Sequence, residues 1–177
     1  MIAPQIDSNL VFNPCGLPPG AGNPVSGCLN DNYSIVATLS SDETIDFSGG
    51  QARVEAVDGS FSTLTIALNP LSTVILNIHA SENGFVTFTD GRGTSGAFAV
   101  DGNGANFFTA TGITGNFLTF HTTLTSGGAE TDIVDDVRQI RLGQGTVTAI
   151  PEPETYALMM AGLAAIGFIA GRRKTQR

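Results

Sequence analysis

The chain has 177 residues, enough for one modest domain with additions. Its 22 glycines, its lack of Trp and its 14% charged content argue against a helical protein, and its 41% hydrophobic content argues against wholesale disorder. The net charge of −8 combines 14 acids and 4 bases over residues 1–150 with 2 acids and 4 bases over 151–177, so the body is acidic and lacks the basic footprint that nucleic-acid binding needs.

Residues 1–32 read as a turn-rich N-terminal segment. Pro4, Pro14, Pro18, Pro19 and Pro24 punctuate it, together with Gly16, Gly20, Gly22 and Gly27. A short strand fits at Asn9–Asn13. The opening MIAPQIDSNLVFNPCG has neither a basic n-region nor an apolar h-region, so for an exported protein the natural start is expected further upstream. Cys15 and Cys28 lie in this segment. In an oxidising compartment they would close a disulfide loop worth about 3 kcal/mol; in a reducing one they would be two free thiols.

From Tyr33 the pattern changes to apolar–polar alternation, which predicts half-buried strands. They are YSIVATL (33–39), QARVEAV (51–57), FSTLTIAL (61–68), TVILNIHA (73–80), GFVTFTD (84–90), GAFAV (96–100), NFFTATG (106–112), NFLTFHTTL (116–124) and IVDDVRQIRLG (133–143). Turn chemistry separates them at Asp58-Gly59, Asn69-Pro70, Asn83-Gly84, Asp90-Gly91, Asp101-Gly102 and Gly127-Gly128. Strands spaced by roughly 10–12 residues predict an all-β, antiparallel β-sandwich, jelly-roll-like, over residues 33–147. The 11 Phe read first as core filler. A sugar-stacking platform is the sharper alternative, although such platforms favour Trp and Tyr.

Residues 148–177 form a linker and a tail of three zones. Pro151-Glu152-Pro153 fixes an extended stretch, because two prolines flank one residue. Residues 155–171, TYALMMAGLAAIGFIAG, carry no charge over 17 positions. As a single C-terminal transmembrane helix they would rise about 25 Å, slightly short of a ~30 Å hydrocarbon core. Arg172, Arg173 and Lys174, with Arg177, form a basic end (172–177) that stays cytoplasmic and leaves the body outside. The alternative, an amphipathic or buried C-terminal helix, suits poorly a run that is apolar on every face.

This ordered ending resembles the PEP-CTERM sorting domain of Gram-negative bacteria. The resemblance covers about 27 of the 177 residues. It implies that Pro151, Glu152 and Pro153 are the recognition motif for an exosortase, an integral-membrane transpeptidase-like enzyme. It implies that 155–171 is a transient inner-membrane anchor and that Arg172, Arg173 and Lys174 are the stop-transfer patch. It further implies a protein of the bacterial cell envelope, exported to the cell surface or beyond, in company with exopolysaccharide and biofilm. The body is also similar to β-sandwich ectodomains that precede such tails, with DDVRQIRLG (135–143) the most similar stretch. That likeness implies no activity.

Few residues of the body suggest chemistry. His79 and His121 each sit within a predicted strand, and nothing ties either to a nucleophile. The neighbouring carboxylates Asp135-Asp136 and Asp42-Glu43 should point to opposite strand faces. Asp101, Asn103 and Asn106 supply oxygens at positions 1, 3 and 6 of a tight turn, a fragment of a calcium loop without its distal Glu; the same residues also make an ordinary hairpin turn. Three readings follow. The first is a non-enzymatic surface or matrix protein without a cofactor. The second is a carbohydrate-binding module, possible with or without calcium, using exposed rings among Phe85, Phe107, Phe108, Phe117 and Phe120. The third is an envelope hydrolase, which needs His79 or His121 to converge with carboxylates in a cleft.

Overall fold

A computed structural model describes residues 8–12, 15, 20–48 and 52–145. The chain divides after Gly145 into two units, and every described residue belongs to the first. The predicted sorting motif 151–153, the apolar span 155–171 and the basic residues 172–174 lie outside the described residues.

The described residues form thirteen strands and no α-helix. In chain order they are β1 (Leu10–Val11), β2 (Val25–Leu29), β3 (Asn32–Ser41), β4 (Ile45–Ser48), β5 (Arg53–Ala56), β6 (Thr63–Ala67) and β7 (Thr73–Ala80). There follow β8 (Gly84–Asp90), β9 (Gly93–Thr94), β10 (Phe98–Val100), β11 (Asn106–Thr111), β12 (Phe117–Thr123) and β13 (Val134–Gly143). An eight-stranded sheet runs β1-β2-β3-β6-β12-β8-β10, with β9 hairpinned onto β8. A five-stranded sheet runs β11-β7-β13-β5-β4. All strand pairs are antiparallel.

The alternation in the sequence becomes the two faces of these sheets. In β7, Val74, Leu76, Ile78 and Ala80 are buried while Ile75, Asn77 and His79 are only partly so. In β6 and β12, Leu64, Ile66, Leu118 and Phe120 turn inward. The buried faces of the two sheets share one hydrophobic cluster, a sandwich-like arrangement. At its centre Phe61 and Phe120 are fully withdrawn from water, with ring centroids 6.2 Å apart. Each such side chain contributes roughly 1.5–3 kcal/mol of burial. The outer face of the larger sheet is lined with hydroxyls: Thr94, Thr89, Thr119, Thr65 and Ser40 stand opposite one another across five strands.

The segment before Tyr33, expected to be irregular apart from one short strand, is built into both sheets. β1 pairs with β2, and Asn9 bridges to Arg141 on β13. Gly22 exchanges two hydrogen bonds with Ile45 on β4 (2.9 and 3.1 Å). Phe12 stacks on Phe47 at 3.9 Å. Its ring also occupies the space beside Gly27, where a β-carbon would lie 2.8 Å from it. Cys15 and Cys28 are joined by a disulfide, which ties this segment to β2.

Candidate functional site

The first expected site is a row of exposed rings. The five phenylalanines do not form one. Phe120 is in the core, and Phe107 is 62% exposed on the outer face of the smaller sheet. Phe85 and Phe117 are half-buried on the outer face of the larger sheet. Phe108 points the other way, into the space between the sheets, because it stands opposite buried Leu76.

Phe108 instead meets two rings the sequence did not single out. Phe88 stands opposite Phe120, and Phe98 stands opposite Val86, so both project from the buried face of the larger sheet. The three rings pack together, with centroids 5.2 Å (Phe88–Phe108), 6.1 Å (Phe88–Phe98) and 6.2 Å (Phe98–Phe108) apart. They stand where both sheets end, β10 being the edge of one and β11 the edge of the other. A cleft of about 450 Å³ opens here between the rings and the β8–β9 hairpin. Asp90, Arg92, Thr94, Thr109 and Thr111 also line it. The Asp90 carboxylate accepts hydrogen bonds from the N–H groups of Arg92 (2.8 Å) and Thr114 (3.0 Å). These two bonds hold its carboxyl below the usual aspartate range, with the Arg92 guanidinium 3.5 Å away adding to them.

The second set is carboxylate and imidazole. Asp135 and Asp136 were expected on opposite faces of a strand. β13 instead shifts register between Val134 and Asp136, and again between Arg138 and Arg141. The first bulge breaks the alternation and brings both carboxylates toward His79, at 3.8 Å (Asp135) and 4.0 Å (Asp136) from Nδ1. Arg138 grips Asp136 with two bonds, from Nε at 2.6 Å and Nη2 at 2.7 Å. Arg53 Nη2 adds a third at 3.0 Å and also reaches Glu55 at 2.8 Å. The Asp136 side chain is 1% exposed although it lies on the outer sheet face. The same grip raises the pKa of the Arg138 guanidinium. His79 Nδ1 is buried and has no hydrogen-bond partner among the described residues. This set is an ion-pair lock, and among the described residues no hydroxyl or thiol nucleophile is bonded to His79.

His121 lies on the other sheet. Its Nδ1 is 3.1 Å from Thr63 Oγ1 and 3.0 Å from Glu130 Oε1. A triad needs the acid on one ring nitrogen and the nucleophile on the other. Here one nitrogen takes both contacts, so these residues do not assemble a triad. The Asp42-Glu43 pair also divides its tasks. Burial pushes the Asp42 carboxyl up, but bonds from the Ser62 hydroxyl (2.5 Å), the Thr63 and Ser62 N–H groups and the Ser41 hydroxyl outweigh it and hold the carboxyl low. Glu43 is pushed up, chiefly by the charge of Asp58 and then by burial, Asp42 and Asp132.

The turn considered for calcium is held by its own hydrogen bonds. Asp101 Oδ1 accepts from the N–H of Asn103, and Asn106 Oδ1 from the N–H of Asp101. The Asn106 amide donates to the carbonyls of Asp101 (2.9 Å), Ile78 (3.0 Å) and Gly104 (3.4 Å). Among the described residues no three His, Cys, Asp or Glu side chains come together as a metal-binding group. Likewise, no helix among the described residues is long and apolar enough to cross a membrane.

No curated protein and no solved structure matches this chain. A family model does match its C-terminal end, and the match implies an exosortase as the processing partner and an exported, membrane-anchored precursor in the bacterial envelope. Residues 149–174 match the PEP-CTERM protein-sorting motif, and the chain is thereby identified as one that carries this sorting signal.

Proposed function

We propose that this chain is a non-enzymatic exported protein, made as a precursor that the apolar stretch 155–171 holds in the inner membrane. An exosortase recognises Pro151, Glu152 and Pro153, and processing frees the β body to the cell surface or the extracellular matrix. There it resides among exopolysaccharide and contributes to biofilm. The observation that carries this reading is the sorting-motif match over residues 149–174. The physics of the tail agrees with it: an uncharged run of 17 residues followed by Arg172, Arg173 and Lys174 is a stop-transfer pattern. The acidic body, with 14 acids and 4 bases over residues 1–150, suits a soluble domain outside the cell.

The test replaces Pro151, Glu152 and Pro153 together by Ala in the native host. The variant should accumulate as a full-length precursor in the membrane fraction while the parent appears outside the cell in shortened form. Release of the variant at the parental rate and size would overturn the reading.

A second reading, a carbohydrate-binding module, is favoured by one observation. The inward-facing rings Phe88, Phe98 and Phe108 form a cleft that the sandwich leaves open.

A further inference from the structure

Three large rings occupy positions that should be covered. Phe98 stands opposite Val86, which is 0% exposed, and Phe108 stands opposite Leu76, which is 1% exposed. By the parity of their strands both rings belong to the interior, yet Phe98 is 49% exposed. The cause is local topology: β10 has only three residues and β11 ends the other sheet, so among the described residues no further strand closes the gap between them. Phe88 and Phe108 meet across the two sheets at the margin of the core, and Phe98 packs on both from its exposed edge.

The rim differs from an ordinary frayed edge. Asp90 is fixed by two backbone N–H groups and carries its charge through the physiological range. Arg92 stands beside it with its side chain 63% exposed, leaving guanidinium donors free for a ligand. The two charges cancel, so the mouth is polar but neutral. A purely apolar ligand would strip water from this pair without replacing its hydrogen bonds, at a cost. A polyanion would meet both Asp90 and the acidic body. A saccharide ring satisfies both parts of the surface: its C–H face stacks on an aromatic ring, and its hydroxyls pair with a carboxylate and a guanidinium. The volume of about 450 Å³ lies within the range of small-molecule sites.

We propose that the cleft between β10, β11 and the β8–β9 hairpin binds a neutral saccharide, with Phe98 as the stacking platform and Asp90 and Arg92 as the polar clamp. This rests on the carbohydrate-binding reading and gives it a site and a ligand charge.

The experiment is titration calorimetry of the full chain in detergent with cellobiose, maltose and chitobiose, and with digalacturonate as the acidic comparison. At least one neutral disaccharide should bind, and digalacturonate should bind more weakly or not at all. Phe98→Ala should weaken neutral binding about tenfold. Its half-exposed ring makes an unchanged melting temperature the expected control. Arg92→Gln, at a still more exposed position, should also weaken binding and serves as the second variant if Phe98→Ala loses its fold. Binding of a neutral disaccharide that neither variant weakens would overturn this cleft while leaving the carbohydrate reading intact. A preference for digalacturonate would overturn the neutral ligand. Absence of binding to all four sugars would overturn the cleft and the carbohydrate reading together, and would leave the sorting reading untouched.

Discussion

Asp136 lies on the outer face of a sheet and is nonetheless withdrawn from water, which places it among the few charged groups here whose removal should be felt strongly. Its carboxylate takes two bonds from Arg138 and one from Arg53. The two guanidinium groups are partly exposed and would regain water if it were lost. Asp136→Ala should therefore cost about 1–3 kcal/mol in chemical denaturation, rather than the larger loss of a fully buried pair. Asp42 gives a pH signature. Its folded pKa is depressed, so its contribution is fully present above about pH 3.9, the ordinary value, and is lost as the pH falls through the lowered folded value. Melting temperatures recorded from pH 5 downward should fall for the parent, and less steeply for Asp42→Asn. Gly102 is restricted for a different reason: a β-carbon there would overlap the backbone of Glu82 and Asn83. Gly102→Ala should cost about 1–3 kcal/mol by the same denaturation measurement. Neither Arg53's reach to Asp136 nor Gly102's crowding by the β7–β8 turn is visible in the local sequence; both come from residues far along the chain.

At the scale of elements, the longer strands were legible where one face is buried and the other is not, while the four-residue β4 went unmarked. β6, β7 and β12 alternate cleanly, and the sequence marks them where the structure has them. β2 escaped because Val25, Gly27, Cys28 and Leu29 are all buried, so no alternation survives, and Pro24 and Gly27 make the stretch look like a turn. β13 was placed correctly in outline, but its two register shifts carry Asp135 out of the alternation that the sequence suggests. A bulge is chosen by packing on both neighbouring strands, and a period-two count cannot see it. The aromatic cleft was missed for a related reason. Phe88 and Phe98 look like core residues by parity; that the sheets stop beside them is a property of the topology. The N-terminal strap is the element with the plainest test. Its disulfide closes a loop of sequence separation 13, so Cys28→Ala, or reduction, should remove about 3 kcal/mol of stability. The melting temperature with and without reductant measures it directly. An unchanged temperature would mean that strand pairing and packing, without the disulfide, hold this segment.

For the whole molecule, the sequence separates two physical problems. Residues before about 150 are acidic and alternate for a β fold; after Glu152 and Glu154 the tail is uncharged over 155–171 and then basic. The all-β, antiparallel character of the body was readable from composition and turn spacing, and the tail from the order of its three zones. The cleft at Phe88, Phe98 and Phe108 was not readable, because it depends on which inward-facing rings the fold leaves uncovered. One event joins these halves in the proposed function, the loss of the tail after export. The most direct test is mass spectrometry of the mature protein recovered from outside its native host. The account predicts a chain that ends near Pro151–Pro153 and lacks every peptide from the basic end 172–177. An extracellular mature protein that continues intact through Arg177 would contradict it.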